Sequence, residues 1–171
     1  MSGTDMLTAL DAPEAAFDEH EKKFVANIRE HGWVVTNVFA EGEMPGFSYT
    51  TGLWKALGVP ELIVFSLKTE AAHQIFWNIF NEAKAGRQFQ NGTRINNILN
   101  TLDVVLMTVD KQHYREYLGW SRWFYAGDLF PCAQLIWPDR ANLFPWNTEF
   151  DARFASDQPD LSEAGWKTLI N

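Results

Sequence analysis

A chain of 171 residues, 46% of them hydrophobic, is long enough to bury one core without covalent staples. Its single cysteine, Cys132, excludes an internal disulfide and a thiolate zinc cluster and suits a reducing cytosol. The net charge of −8, from 22 acids against 14 bases, opposes binding to nucleic-acid phosphates or an anionic membrane and favours a basic protein partner.

Residues 1–12 are small and polar, lack the basic-then-apolar order of a secretory signal, and read as a flexible tail before a single domain over 13–171. From Pro13 to His31 the residues Ala16, Phe17, Phe24, Val25 and Ile28 recur at helical spacing between charges. An amphipathic helix follows, with Gly32 as its stop. "WVVTNVF" (33–39) predicts a strand, "EGEMPG" a turn, and "FSYTTGL" (47–53) a second strand. "WKALGV" reads as a loop, and "ELIVFSL" (61–67) as a central third strand.

Thr69 is placed to cap a long helix that sets Ile75, Phe76, Ile79, Phe80 and Ala83 on one face and ends at Gly86. "NGTRINNIL" combines turn chemistry with a weak strand, and "DVVLMTV" (103–109) is a clear one. "KQHYREYLGWSRWFYAG" predicts helix at least to Leu118, "AQLIWPD" (133–139) a last strand, and "RANLFPWNTEF" a turn-bounded close. The apolar runs Leu62–Phe65 and Val104–Met107 are far too short to span a bilayer. The expected fold is one α+β domain, with a mixed or mainly antiparallel sheet of about five strands and helices packed against it.

Phosphate-cradling glycine loops, a nucleophile elbow and a His-Glu-x-x-His pair are missing from the sequence. His20, His31, His73 and His113 share no ligand spacing, so neither a metal nor a cofactor is expected. The row Ser48, Tyr49, Thr50 and Thr51, bracketed by Gly46 and Gly52, is the most distinctive feature. Alternation puts Phe47, Tyr49, Thr51 and Leu53 on one face and Ser48, Thr50 and Gly52 on the other. The row is either a strand with one solvated face or the wall of a pocket. In the pocket reading the ligand-binding set is Ser48, Tyr49, Thr50, Glu61, Asp139 and Trp146. Glu61 after Pro60 is expected at an exposed strand end or, in the pocket reading, as an acid or base facing the hydroxyls. Asp139 is equally a turn former.

Aromatic residues make 15% of the chain, including 8 Trp. Together with acids near both termini they suggest a protein interface, with Trp120 and Trp123 at its centre and Asp18 and Glu19 on its rim. A homodimer is compatible with the same content.

The stretches "HGW" (31–33), "GFSYTTGL" (46–53), "PELIVFSL" (60–67) and "QLIWPDRANLFPW" (134–146) together resemble a bacterial family known as domain of unknown function 4262. The likeness runs from about His20 to Phe150 and makes the hydroxyl row a family signature; it implies no activity. Where that family's last motif has glycine, this chain has Asn142, the residue that best tolerates a left-handed turn after glycine. The second and third stretches are also similar to split-barrel flavoproteins of the flavin reductase type, for which Lys68, Arg87 and Arg94 would be the phosphate anchors.

Two functions follow as expectations. One is a non-catalytic, acidic cytosolic binding protein, in the manner of an immunity or antitoxin factor that neutralises a basic effector. The other is a small-ligand binder or enzyme built on the hydroxyl-lined pocket.

Overall fold

In a computed structural model, described over residues 6–169, the chain forms one α+β domain around a six-stranded sheet. The strands are β1 (Val34–Val38), β2 (Phe47–Thr51), β3 (Glu61–Phe65), β4 (Arg94–Leu99), β5 (Leu102–Thr108) and β6 (Cys132–Ile136), in the order β1-β2-β3-β6-β5-β4. Neighbours are antiparallel except for the central pair, β3 and β6, which run parallel with Glu61 opposite Cys132. The sheet is open, with β1 and β4 at its edges, so the split-barrel likeness does not extend to the fold.

The helices are α1 (Glu19–His31), α2 (Leu53–Leu57), α3 (Thr69–Lys84), α4 (Tyr114–Tyr117) and α5 (Gly119–Tyr125). Strand alternation divides the apolar residues between two cores. Tyr49, Ile63, Phe65 and Cys132 face α1, α4 and α5, where Val25, Ile28, Tyr114 and Phe124 meet them. Leu62, Val64, Val104 and Leu135 face α3 and its Ala72, Ile75, Phe76 and Ile79. β3 is therefore buried on both faces, which is why its sequence is continuously apolar instead of alternating. A smaller cluster of Val105, Met107, Ile136 and Phe144 lies under the closing segment, with Trp146 and Trp166 packed on it.

Local chemistry sets the boundaries, and in several places moves them from where the sequence put them. α1 begins at Glu19 and not near Pro13, because Asp18 and Glu21 form a reciprocal capping box with both hydrogen bonds at 2.8 Å. Gly32, at φ +88°, ends it as expected. α3 has Lys68 in the cap position, so Thr69 is its first residue, not its cap. The weak "RINNIL" segment is β4, an edge strand that brings the sheet to six and whose register shifts between Ile95 and Leu99. The aromatic helix is split at Leu118 into α4 and α5.

The N-terminal segment also differs from a flexible tail over its described part. Met6 and Ala9 are buried against the first core, and Thr8 caps a short 3-10 turn in a box with Asp11. Residues 1–5 of the expected tail lie outside the described residues. No helix of the described residues is long and apolar enough to cross a membrane.

Candidate functional site

β2 stops at Thr51 because Gly52, at φ +113°, turns the chain into α2, a helix in the segment expected as a loop. A side chain at Gly52 would place its Cβ 2.5 Å from the Gly32 carbonyl oxygen and 3.0 Å from Trp33 Cα, so only glycine fits this turn. Five residues make a poor helix by themselves, and the start of α2 is held by a carboxylate from the neighbouring strand. Glu61 Oε1 accepts from Thr50 Oγ1 at 2.8 Å and from the Leu53 N–H at 3.1 Å. Its Oε2 accepts from the N–H groups of Gly52 and Trp54 at 3.0 and 3.2 Å and from Tyr125 Oη at 2.5 Å. Glu61 is fully buried, not an exposed strand end, because five converging donors replace the water it loses.

Thr51 joins this network through Ser121, while Tyr49 and Ser48 are satisfied separately. Thr50 Oγ1 accepts from the Leu62 N–H at 2.9 Å. Ser121 Oγ donates to the Thr50 carbonyl at 3.0 Å and lies 2.7 Å from Thr51 Oγ1. The Trp120 N–H donates to Tyr49 Oη at 3.0 Å, and Ser48 Oγ donates to Asn37 at 2.7 Å. β2, β3, α2 and α5 are thus tied together by buried polar groups.

Burial pushes the Glu61 carboxyl above its ordinary value, against the pull of its hydrogen bonds. Burial and the adjacent Glu61 push the Tyr125 phenol up, which keeps it a donor. Burial, reinforced by Glu61, holds the Cys132 thiol well above the range of a reactive thiolate. A carboxylate offers about four lone-pair sites, and five donors occupy them. The constellation is equipped to cap α2 and join four elements.

The six expected ligand residues do not form one pocket. Thr50 and Glu61 meet in the network, while Tyr49 packs in the first core and Trp146 in the third cluster, stacked on Phe144 with centroids 5.0 Å apart. β3 separates β2 from β6 and β5, the strands under Trp146. Asp139 organises its own turn: Oδ1 accepts from the Ala141 and Leu143 N–H groups and Oδ2 from that of Asp151. Asn142 takes the left-handed conformation at φ +61°, as its place in the motif implies, and its Oδ1 accepts from the Asp103 N–H at 3.0 Å. Lys68, Arg87 and Arg94 serve separate places: the α3 cap position, a pair with Glu82 and a pair with Asp103.

The expected interface residues are also in structural use. Asp18 caps α1, and Glu19 makes an exposed pair with Lys22. Trp120 stacks on Phe24 at 4.5 Å and Trp123 meets Phe17 and Phe24 edge-on, so both fasten α5 to α1. Among the described residues no group of three or more His, Cys, Asp or Glu is placed to hold a metal.

Sequence reasoning passed over a different surface, the margin of β1. Phe39 is 82% exposed, and Val38, Met44 and Trp77 are 39%, 47% and 45% exposed. Among the described residues these four are most of the large exposed apolar side chains, and they lie along or beside one strand. A recess of about 520 Å³ borders the β1–β2 hairpin, lined by Val38, Phe39, Met44, Ser48 and Lys68 among others. A groove of about 450 Å³ runs between Asn27 and His31 of α1 and His73 and Trp77 of α3, with Trp33, Val34 and Val35 below. Asn37 lines both. The indole N–H of Trp33 is buried without an acceptor among the described residues. One sequence signal was available: "VVTNV" carries neither a charge nor a proline, the usual guards of an edge strand.

A family model described as a domain of unknown function, DUF4262, matches residues 27–151, a span that contains the whole Glu61 network and all of β1. Neither the curated proteins nor the solved structures include a significant match.

Proposed function

The chain belongs to the DUF4262 family, and we propose that it acts as a non-catalytic, cytosolic protein-binding module whose partner is a basic protein and whose binding surface is the β1 margin. The observation that carries this reading is the gathering of Val38, Phe39, Met44 and Trp77 on one side of a chain with net charge −8. Apolar anchors of this kind supply affinity, while surrounding charge steers a partner and sets its association rate. The engagement of Glu61, Tyr125 and Asp139 within the fold supports a binding role over a chemical one. An immunity or antitoxin factor neutralising a basic effector is the setting this combination fits.

The test is affinity capture from the native host with the wild-type chain and with Phe39→Ser/Trp77→Ala, followed by association kinetics on the identified partner. A basic partner held by the wild type and released by the variant is expected. Its association should slow as salt rises and the screening length falls to about 8 Å. A partner retained by the variant, or one whose association ignores salt, would refute the reading.

A further inference from the structure

We infer that the partner enters as an extended segment that adds to the outer edge of β1 as a seventh strand, between α1 and α3. This rests on the reading of the β1 margin as the binding surface and adds the form in which the partner binds.

The argument begins with the backbone. β1 pairs with β2 along its full length, from Val34 opposite Thr51 to Val38 opposite Phe47. Among the described residues no strand pairs its other side and no side chain bonds to the backbone of Val34–Val38. Five residues of free edge, about 17 Å long, are a template for strand addition. Edges left in this state are ordinarily guarded by lysine, proline or a bulge, and β1 has none of these.

The flanks select for a single strand. α1 and α3 cover opposite faces of the sheet, and residues of both line the 450 Å³ groove together with Trp33, Val34, Val35 and Asn37 of the β1 segment. A strand laid on this edge continues the pleat, with side chains alternating between the α1 side and the α3 side. On the α3 side they meet a layer of rings: Trp33 is stacked with His73 at 5.7 Å and with Trp77 at 6.2 Å. That wall suits an apolar or aromatic side chain. Toward the hairpin, Phe39 lies beside Glu41 and Glu43, which favours lysine or arginine at that end of the segment. A second copy of the chain suits the edge less well: it would bring another −8 and press its own α1 and α3 against the same two helices.

The probe is a synthetic peptide chosen from a displayed library of random twelve-residue peptides selected on the intact protein. Its affinity is measured for the wild type and for Trp77→Ala, and hydrogen exchange of the β1 amides is followed with and without it. The expected peptide alternates apolar residues with others and carries lysine or arginine. Trp77→Ala should weaken it by about tenfold or more, and binding should protect every second amide across Val34–Val38. A peptide that needs Trp77 but leaves the β1 amides unprotected would overturn strand addition and keep the surface. Failure to select any peptide, or a peptide indifferent to Trp77→Ala, would overturn both. A free protein that sediments as a dimer with its β1 amides already protected would assign the edge to a second copy and likewise overturn the inference. The exchange measurement uses the unmodified chain, so it does not depend on how the variant folds.

Discussion

Replacing Glu61 with alanine removes the shared acceptor of five donors at once. Three are backbone N–H groups, of Gly52, Leu53 and Trp54, and the turn into α2 fixes their direction. The hydroxyls of Thr50 and Tyr125 can rotate to other partners. A buried donor left unpaired costs about 1–3 kcal/mol. With one of the three N–H groups recovered by water in the vacated space, Glu61→Ala should cost about 2–6 kcal/mol, a large part of the roughly 5–15 kcal/mol typical of a domain. Glu61→Gln keeps the shape and one acceptor but turns an amide NH₂ toward other donors, and should cost about 2–3 kcal/mol. Urea unfolding followed by tryptophan fluorescence measures both, provided the slope with denaturant is unchanged. A Glu61→Gln protein within about 0.5 kcal/mol of wild type would refute the capping role. The carboxylate would then be dispensable to the fold, and a chemical role would have to be reconsidered.

The same group predicts a pH dependence. Folding raises the Glu61 carboxyl above its ordinary 4.5, chiefly by burial, so between 4.5 and the raised value the folded chain takes up a proton that the unfolded chain has released, at the expense of one of the five donated bonds. The stability from this titration is complete below 4.5 and is lost as pH rises through the raised folded value; the margin of wild type over Glu61→Gln should therefore narrow from about pH 4.5 upward. A widening margin would mean that the hydrogen bonds outweigh burial. Gly52→Ala should lose at least about 3 kcal/mol in thermal or urea unfolding, because the new Cβ meets backbone atoms that cannot yield; a loss under about 1 kcal/mol would show that the Gly32–Gly52 approach is slack. Asn142→Gly keeps the left-handed turn but drops the bond to the Asp103 N–H, at about 1 kcal/mol. Asn142→Ala adds a further 1–2 kcal/mol or so for the left-handed backbone, and equal stabilities for the two variants would refute that order.

Segments whose pattern is set by their own burial were legible in the sequence. β3 is continuously apolar because both faces are covered, and α3 shows its buried stripe at Ile75, Phe76 and Ile79. The left-handed turn at Asn142 was legible for a similar reason, since one residue's backbone tolerance decides it. α2 was not, because its five residues are too few to show a period and its cap arrives from Glu61, on another strand. The break at Leu118 has no local breaker beyond Gly119. The hydroxyl row was recognised as distinctive, but its role depends on Tyr125 and Ser121, which only the fold brings near. The β1 margin was hidden differently: which strand lies at an edge is a property of topology, and "WVVTNVF" reads the same in the centre of a sheet.

The parallel pairing of β3 with β6 divides the sheet into two antiparallel meanders, β1-β2-β3 and β4-β5-β6, each contiguous in sequence. The β4–β5 hairpin, with its two-residue turn, is of the kind that closes in about 1–10 μs, whereas joining the meanders must wait for α3, β4, β5, α4 and α5 to be traversed. The most buried line of the molecule is therefore expected to be the last assembled during refolding. Until then β3 and β6 are themselves exposed borders, and the apolar run Leu62–Phe65 is available to other chains. The bonds from Tyr49, Thr51 and Glu61 to Trp120, Ser121 and Tyr125 cross between the halves just ahead of β6, so they close the seam as it forms. Recovery of native protein from denaturant is governed by the race between that closure and intermolecular pairing, and it falls as chain concentration rises.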